Sequence, residues 1–273
     1  MDLEIISKTI RQNIFKMACH AGGAHIASSF SIVEILTVLY FEILNIDPEN
    51  EDYLDRDRFI LSKGHASAAI YAVLAERGFF NKDKLKGFCR YGTVLGGHPE
   101  MQQIPGIEVS TGSLGHGLPL GAGMAYAAKI AEKKYKTFVL LGDGECQEGS
   151  VWETALLASQ LKLDNLIAIV DYNGLQAMDK TENIINLQPF SEKWRSFGWD
   201  VKEVDGHNIS ELKMLFKKLP LSENRPSLIV ANTVKGKGIS YMENVPIWHF
   251  RMPKGNEMRQ ALEELGIEPG FML

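Results

Sequence analysis

The stretch from Thr137 to Leu175 limits the fold more than any other part of the chain. Two apolar, strand-like runs, Thr137 to Leu141 and Leu166 to Val170, flank a segment, Ser150 to Leu161, with helical spacing. That order is one βαβ unit with two parallel strands. A polar group follows each strand: Asp143 within Gly142-Asp143-Gly144-Glu145-Cys146-Gln147-Glu148-Gly149, and Asn173 within Asp171-Tyr172-Asn173-Gly174-Leu175. Asp143 and Asn173 therefore belong at the carboxyl ends of strands, where open α/β sheets bind ligands. A carboxylate, an amide oxygen and a nearby backbone carbonyl are hard donors. They suit Mg²⁺, which keeps further positions for water and substrate phosphates. Gly144 lets the backbone approach an anion closely. The helix starting near Gly149 aims free N–H groups and its positive dipole end at the same place. Gly-Asp-Gly alone also makes ordinary turns, so the paired strand exits carry the reading: a metal-bridged diphosphate site.

The remaining chain bounds the alternatives. With 273 residues, 45% hydrophobic and 23% charged, it has the material for a large core. A formal charge of −5 argues against nucleic acid as a main partner, so an anionic substrate needs a local cationic pocket. Cys19, Cys89 and Cys146 lack metal or redox spacing and fit reduced thiols, with Cys146 read as a small buried hydrophobe. Asp2 and Glu4 replace the cationic start of a signal peptide, and no apolar run approaches the about 20 residues of a membrane span. The expected location is the cytoplasm, with no membrane partner.

Ile5, Ile6, Ile10, Ile14 and Met17 predict an amphipathic first helix, and Ser31 to Leu44 a second. Arg58 to Ser62 reads as a short strand, Ala66 to Arg77 as a helix stopped by Gly78, and Gly87 to Gly115 as a long irregular loop. Leu118 to Lys134 is helical, with Gly121, Gly123, Ala125 and Ala128 giving a small face for tight packing. Trp199 to Val204 and Pro226 to Thr233 are strands around a helix from Asn208 to Leu219, and Glu257 to Leu265 is a last helix stopped by Gly266. Alternation of this kind predicts an α/β protein: a three-layer α/β/α sandwich with a mostly parallel sheet, as a single domain over residues 1–273.

Histidines follow glycines repeatedly: Gly23-Ala24-His25, Gly64-His65, Gly97-His98, Gly115-His116 and Gly206-His207. Such pairs are common in surface turns, but Lys63-Gly64-His65 sits at a strand exit, as Asp143 and Asn173 do. Imidazole can donate to phosphate and move a proton near neutral pH. His20, at the end of the first helix, reads as a dipole partner, and His207 as part of a helix cap.

The Asp143 and Asn173 segments resemble the thiamine diphosphate signature of the transketolase family. The resemblance extends along nearly the whole chain through Gly22-Gly23-Ala24-His25, Leu61-Ser62-Lys63-Gly64-His65-Ala66, Gly97-His98-Pro99-Glu100, Thr111-Gly112-Ser113-Leu114-Gly115 and Trp248-His249. It implies the thiamine diphosphate-binding fold and a Mg²⁺ site, open to Ca²⁺ or Mn²⁺, made by Asp143, Asn173 and the Leu175 carbonyl. His65, His249 and the Gly144 amide would hold the diphosphate, with Lys63 and Lys235 adding positive charge. Gly112, Ser113 and Leu114 would meet the pyrimidine side. His25, His98 and His249 would line the channel to the reactive carbon as catalytic groups. Glu148 matches a glutamate that couples two cofactor sites; its other reading is a plain helix-start acid. The chain departs from the family at Gly-Gly-Ala-His-Ile around His25, and at His116, where many relatives carry Gln.

The family normally continues into a pyrimidine-binding domain and a third domain, whereas this sequence stops at Leu273, shortly after His249. The resemblance therefore implies the N-terminal subunit of a split transketolase. It would transfer a two-carbon ketol unit between sugar phosphates in carbohydrate metabolism, of the pentose phosphate kind. Activity would require a partner subunit carrying the pyrimidine-binding domain, in a homodimer or heterotetramer. Alternatives within the cofactor class are a 1-deoxyxylulose-phosphate synthase-like chain or a 2-oxo acid dehydrogenase alpha-like chain, and outside catalysis a cofactor-binding module. Gly115-His116-Gly117-Leu118-Pro119-Leu120-Gly121 has the wrong spacing for a dinucleotide turn.

Overall fold

Five strands form one all-parallel sheet in the order β1-β2-β3-β5-β4: β1 Arg58–Leu61, β2 Thr137–Gly142, β3 Leu166–Tyr172, β4 Asp200–Asp205 and β5 Ser227–Asn232. The computed structural model describes residues 2–50 and 52–272. Helices cover both faces, as a parallel sheet with apolar residues on each side requires. One layer holds α1 (Leu3–Ala21), α2 (Ile26–Phe30), α3 (Val33–Val38), α4 (Ser67–Arg77), α9 (Ile209–Phe216) and α10 (Asn256–Leu265). The other holds α5 (Gly117–Ile130), α6 (Gly149–Gln160) and α8 (Phe190–Ser196); a single turn, α7 (Thr181–Ile184), lies in the loop after β3. Alternate residues of β2 serve the two cores: Phe138 and Leu140 face the first layer, Val139 and Leu141 the second.

Crossover chirality explains which helix lies where. From β1 to β2 to β3 and on to β4 the chain advances in one direction, with α5, α6 and α8 on one face. From β4 it steps back to β5, so a right-handed connection must put α9 on the opposite face. Both sheet edges are guarded. At β4, Lys202, Glu203 and Asp205 are exposed. At β1, Glu108 binds Arg56 at 3.1 Å and Arg58 at 3.3 Å, holding residues 106–111 against the strand.

The expected α/β sandwich and its parallel sheet are present, with differences in detail. Ser31 to Leu44 is not one amphipathic helix. Ile32 to Tyr40 are buried on every side, and the segment divides between α3 and a wide π turn over Leu39–Ile43. Ile5 points to solvent, while Ile10, Ile14 and Met17 enter the core. In α5, Gly121 packs against Val139, but Gly123 is exposed and meets nothing; the helix ends at Ile130, before Lys134. Helix α8 has no counterpart in the sequence reading; at seven residues it is too short for periodicity, and its buried Trp194 meets Trp199 edge to face. No helix among the described residues is long and apolar enough to cross a membrane.

Candidate cofactor site at the strand exits

Four strands end on one cleft of about 420 Å³, each delivering a functional group: Lys63 after β1, Asp143 after β2, Asn173 after β3 and Lys235 after β5. The register explains the meeting of the middle pair. Gly142 is paired with Asp171, and the Asp143 N–H donates to the Asp171 carbonyl at 3.3 Å. The two strand tips are thus level. The Asp143 carboxylate then accepts the Gly144 N–H (2.8 Å), the Gly174 N–H (2.8 Å) and the Thr181 hydroxyl (3.0 Å), tying the β2 exit to the β3 exit.

Behind these groups lies a fully buried carboxylate, Asp171. It accepts hydrogen bonds from Lys63 Nζ, the Thr233 hydroxyl, the Ser31 hydroxyl (2.6 Å) and Asn173 Nδ2 (3.0 Å). Burial opposes its charge, but Lys63 and these donors hold it below the ordinary carboxylate range. Lys63 also donates to the Ser28 carbonyl at 2.9 Å. Lys235, itself buried, donates to the Leu175 and Gln176 carbonyls at 2.9 and 3.3 Å. Burial, then the neighbouring Lys63 charge, bring the Lys235 ammonium down to about 8.

Three imidazoles face one another across the cleft: His25 to His249 5.0 Å, His25 to His65 5.2 Å and His65 to His249 5.5 Å between ring centres. Phe250 covers His25 at 4.8 Å. Burial, followed by neighbouring positive groups, lowers His25 to about 4, His65 to about 2 and His249 to about 3. At neutral pH the cleft therefore presents neutral rings, able to donate or accept, beside two ammonium groups. His249 Nδ1 is buried and finds no hydrogen-bond partner among the described residues.

The fourth wall is the Thr111–Gly115 loop, and it lies very close to β1's exit. A methyl at Gly64 would stand 2.6 Å from Thr111 Oγ1 and 2.8 Å from the Gly112 N, so only glycine permits this approach. Gly112, at φ +148°, lies under the His98 ring. Buried Glu145 fixes the loop, accepting from Ser62 Oγ, from the Gly115 N–H at 2.9 Å and from the Gly142 N–H at 3.1 Å.

The residues fit a divalent cation with a diphosphate. Among the described residues, no three His, Cys, Asp or Glu side chains stand together as a metal site, so the donors must be mixed. Asp143 is buried, and its hydrogen-bond donors are all neutral. Burial and then Asp171 push it up to about 6. A nearby cation would reverse that shift. The Leu175 carbonyl, although bonded to Lys235, keeps a second lone pair. For the anion, Lys63, Lys235, three imidazole rings and the Gly144 backbone converge on the same cleft.

Of the residues singled out in the sequence, His25, Lys63, His65, His98, Gly112, Leu114, Asp143, Gly144, Glu148, Asn173, Leu175, Lys235 and His249 all line this cleft. Ser113 does not; it is exposed, between two residues that do. Glu148 is exposed at the rim and precedes α6 as the cap position, its side chain making no capping hydrogen bond among the described residues. His116 lies outside, its Nδ1 near the Leu114 carbonyl at 3.2 Å. His207 is no cap: Asn208 caps α9, while His207 joins Glu34 (2.9 Å) to the Val234 N–H (2.8 Å). Sequence reasoning missed Ser28 and Gln176, which line the cleft, as well as Glu145 and Asp171. Asp171 left a signal, an acid closing an apolar strand two residues before Asn173, hence on the same side of it.

The family described as "Transketolase, thiamine diphosphate binding domain" matches residues 4–272. The chain is 44% identical over 265 residues to one of the subunits of the apulose-4-phosphate transketolase of Actinobacillus succinogenes, covering 97% of this chain and 96% of that one. It is 40% identical over 265 residues to the 6-deoxy-6-sulfo-D-fructose transketolase subunit SqwG of a Clostridium species, with the same coverage of 97% and 96%. The fold is similar to transketolase from Leishmania mexicana, with TM-score 0.92 and 28% identity; the match covers 99% of this chain and 42% of that longer one.

Proposed function

Because the chain belongs to the transketolase family, through its thiamine diphosphate-binding domain, we propose that it is the diphosphate-binding subunit of a split transketolase. As a single domain, it would move a two-carbon ketol unit from a ketose phosphate to an aldose phosphate, together with a partner subunit that supplies the pyrimidine-binding domain. Its full-length relatives from Actinobacillus and Clostridium are themselves named as subunits, which supports the partner. The observation that carries the reading is the cleft, where two ammonium groups, neutral imidazole rings and a buried carboxylate bonded only to neutral donors meet at the strand exits.

In this reading Asp143, Asn173 and the Leu175 carbonyl hold Mg²⁺. His65, the Gly144 N–H, Lys63 and Lys235 hold the diphosphate, and Gly112 and Leu114 meet the pyrimidine side. The chemistry the cofactor supplies when bound is a nucleophilic carbon and an electron sink for the cleaved ketose. The protein's own part is positioning and proton transfer. His25, His98 and His249 face the substrate channel; as neutral rings, His25 and His249 can take the proton from the sugar hydroxyl whose oxygen becomes a carbonyl on cleavage, and return it to the alkoxide oxygen formed when the acceptor carbonyl is attacked. Lys63 and Lys235 stabilise negative charge inside the cleft, where poor solvation strengthens the effect. Glu148, exposed at the rim, would meet a second chain in this reading.

Calorimetric titration with thiamine diphosphate and Mg²⁺, with and without the candidate partner, tests the assignment. Asp143→Ala should abolish metal-dependent binding, and unchanged affinity would refute the metal site. Ketol transfer should appear on mixing the subunits; full turnover by this chain alone would refute the need for a partner.

A further inference from the structure

We propose that Asp171 is a positioning residue, which sets the orientation of the Asn173 amide and the Lys63 ammonium together. It thereby couples the metal site to the diphosphate site. The proposal rests on the reading of the cleft given above.

Asn and Gln amides present two chemically opposite ends, and only their surroundings decide which end faces a ligand. For Asn173 to bind a cation, its oxygen must face the cleft and its NH₂ must be tied elsewhere. Asp171 Oδ2 accepts that NH₂ at 3.0 Å, while the Asn173 oxygen accepts the Leu175 N–H at 3.1 Å and keeps a lone pair for the cleft; an ionised carboxylate cannot donate, so the amide cannot reverse. The geometry follows from strand periodicity: residues 171 and 173 are two apart and project to the same side at the end of β3. The same oxygen accepts from Lys63 Nζ and from the Ser31 hydroxyl at 2.6 Å, and Oδ1 accepts from Thr233. One fully buried carboxylate therefore joins the exits of β1, β3 and β5 with the first helical layer. It does not itself line the cleft, so its effect passes through Asn173 and Lys63. Outer partners of this kind fix the orientation of metal ligands, and their loss costs about 10- to 100-fold in metal affinity.

The test is a swap read by calorimetry. Mg²⁺ is titrated into the full chain with thiamine diphosphate, in the presence and absence of the partner subunit. Wild type is compared with Asp171→Asn, Asn173→Asp and the swapped double variant. Asp171→Asn should weaken Mg²⁺ binding about 10- to 100-fold, because the new amide can turn its own NH₂ toward that of Asn173 and leaves the Leu175 N–H alone to hold the Asn173 oxygen. In the Asn173→Asp background the same substitution should strengthen binding. There it replaces two repelling carboxylates by an NH₂ that donates to the carboxylate at position 173 and leaves one of that group's oxygens for the metal. A reversal of sign is the expected result. A carboxylate that only held the fold would make Asp171→Asn harmful in both backgrounds, and that outcome would overturn the proposal, as would wild-type affinity in Asp171→Asn. If loss of the charge facing Lys63 prevents folding, the series is built on Lys63→Met, which removes the orphaned cation; the same reversal is required. A wild-type chain that binds neither ligand overturns the cleft reading and the proposal with it. Normal wild-type binding without the reversal overturns the proposal alone.

Discussion

Glu34→Gln should destabilise the protein at neutral pH, and the loss should fade in acid. Glu34 on α3 is nearly buried and bridges two elements: Oε1 accepts from Arg11 of α1 at 2.7 Å, and Oε2 faces His207 Nδ1, before α9, at 2.9 Å. His207 Nε2 accepts the Val234 N–H at 2.8 Å, so the proton must reside on Nδ1 and is donated to Glu34. A glutamine offers an oxygen to only one of these two donors and turns an NH₂ toward the other. Orphaning one buried donor costs about 1–3 kcal/mol. Losing the charge beside a mostly buried Arg11 adds about 1 kcal/mol after allowance for its residual exposure. The expected loss at pH 7 is therefore about 2–4 kcal/mol, or about 4–7 °C in Tm for a chain of this size. Burial pushes the Glu34 carboxyl up, but the His207 hydrogen bond and the Arg11 charge outweigh it and hold it below the ordinary value of 4.5. A carboxyl with a depressed folded value stabilises fully above its unfolded value and loses that contribution as pH falls through the folded one. The gap between wild type and variant should thus narrow below pH 4.5. Urea unfolding at pH 7 and in steps into acid measures it. A loss under about 0.5 kcal/mol at pH 7, or a gap unchanged in acid, would refute the reasoning.

Gly64→Ala should cost about 1–3 kcal/mol and weaken thiamine diphosphate binding, because the new methyl meets the Thr111–Gly112 backbone and not a yielding side chain. Gly123→Ala, in open space on α5, should instead stabilise by about 0.5–1 kcal/mol; denaturant midpoints at constant slope check both, and equal effects would contradict the packing argument. For the imidazoles, folded values of about 4, 2 and 3 lie below the ordinary 6.5. The unfolded chain therefore binds more protons in mild acid, and these rings should reduce stability as pH falls below 6.5. Ring resonances of His25, His65 and His249 should not titrate between about pH 5 and 8; a midpoint near the ordinary value for any of them would count against the buried, cation-lined cleft.

The strand exits were legible because sheet geometry makes them so. An apolar run ending in Asp143 or Asn173 leaves that side chain little choice but the carboxyl edge of the sheet. The histidines were legible only in combination, since Gly-His turns are common and the fold alone brings His25, His65 and His249 from three distant segments to about 5 Å. Asp171 and Glu145 stayed hidden for a different reason. Their value lies in partners such as Ser31, Thr233, Ser62 and Gly115 that no local pattern links to them. The split of Ser31 to Leu44 escaped because no Gly or Pro breaks the segment where α3 gives way to the wider turn, and α8 because seven residues are too few. His207 looked like part of a cap because Asn208, beside it, is one.

The guarded margins of the sheet restrict how another chain can join this one. At β4 Lys202, Glu203 and Asp205 are exposed, and at β1 residues 106–111 lie beside the strand. Strand-to-strand growth is thereby disfavoured at both sides. That leaves helical surfaces and the rim above the strand tips, the same rim on which the cleft opens. A second polypeptide docking there would form part of the reaction chamber's wall, so assembly and completion of the catalytic centre would be one event.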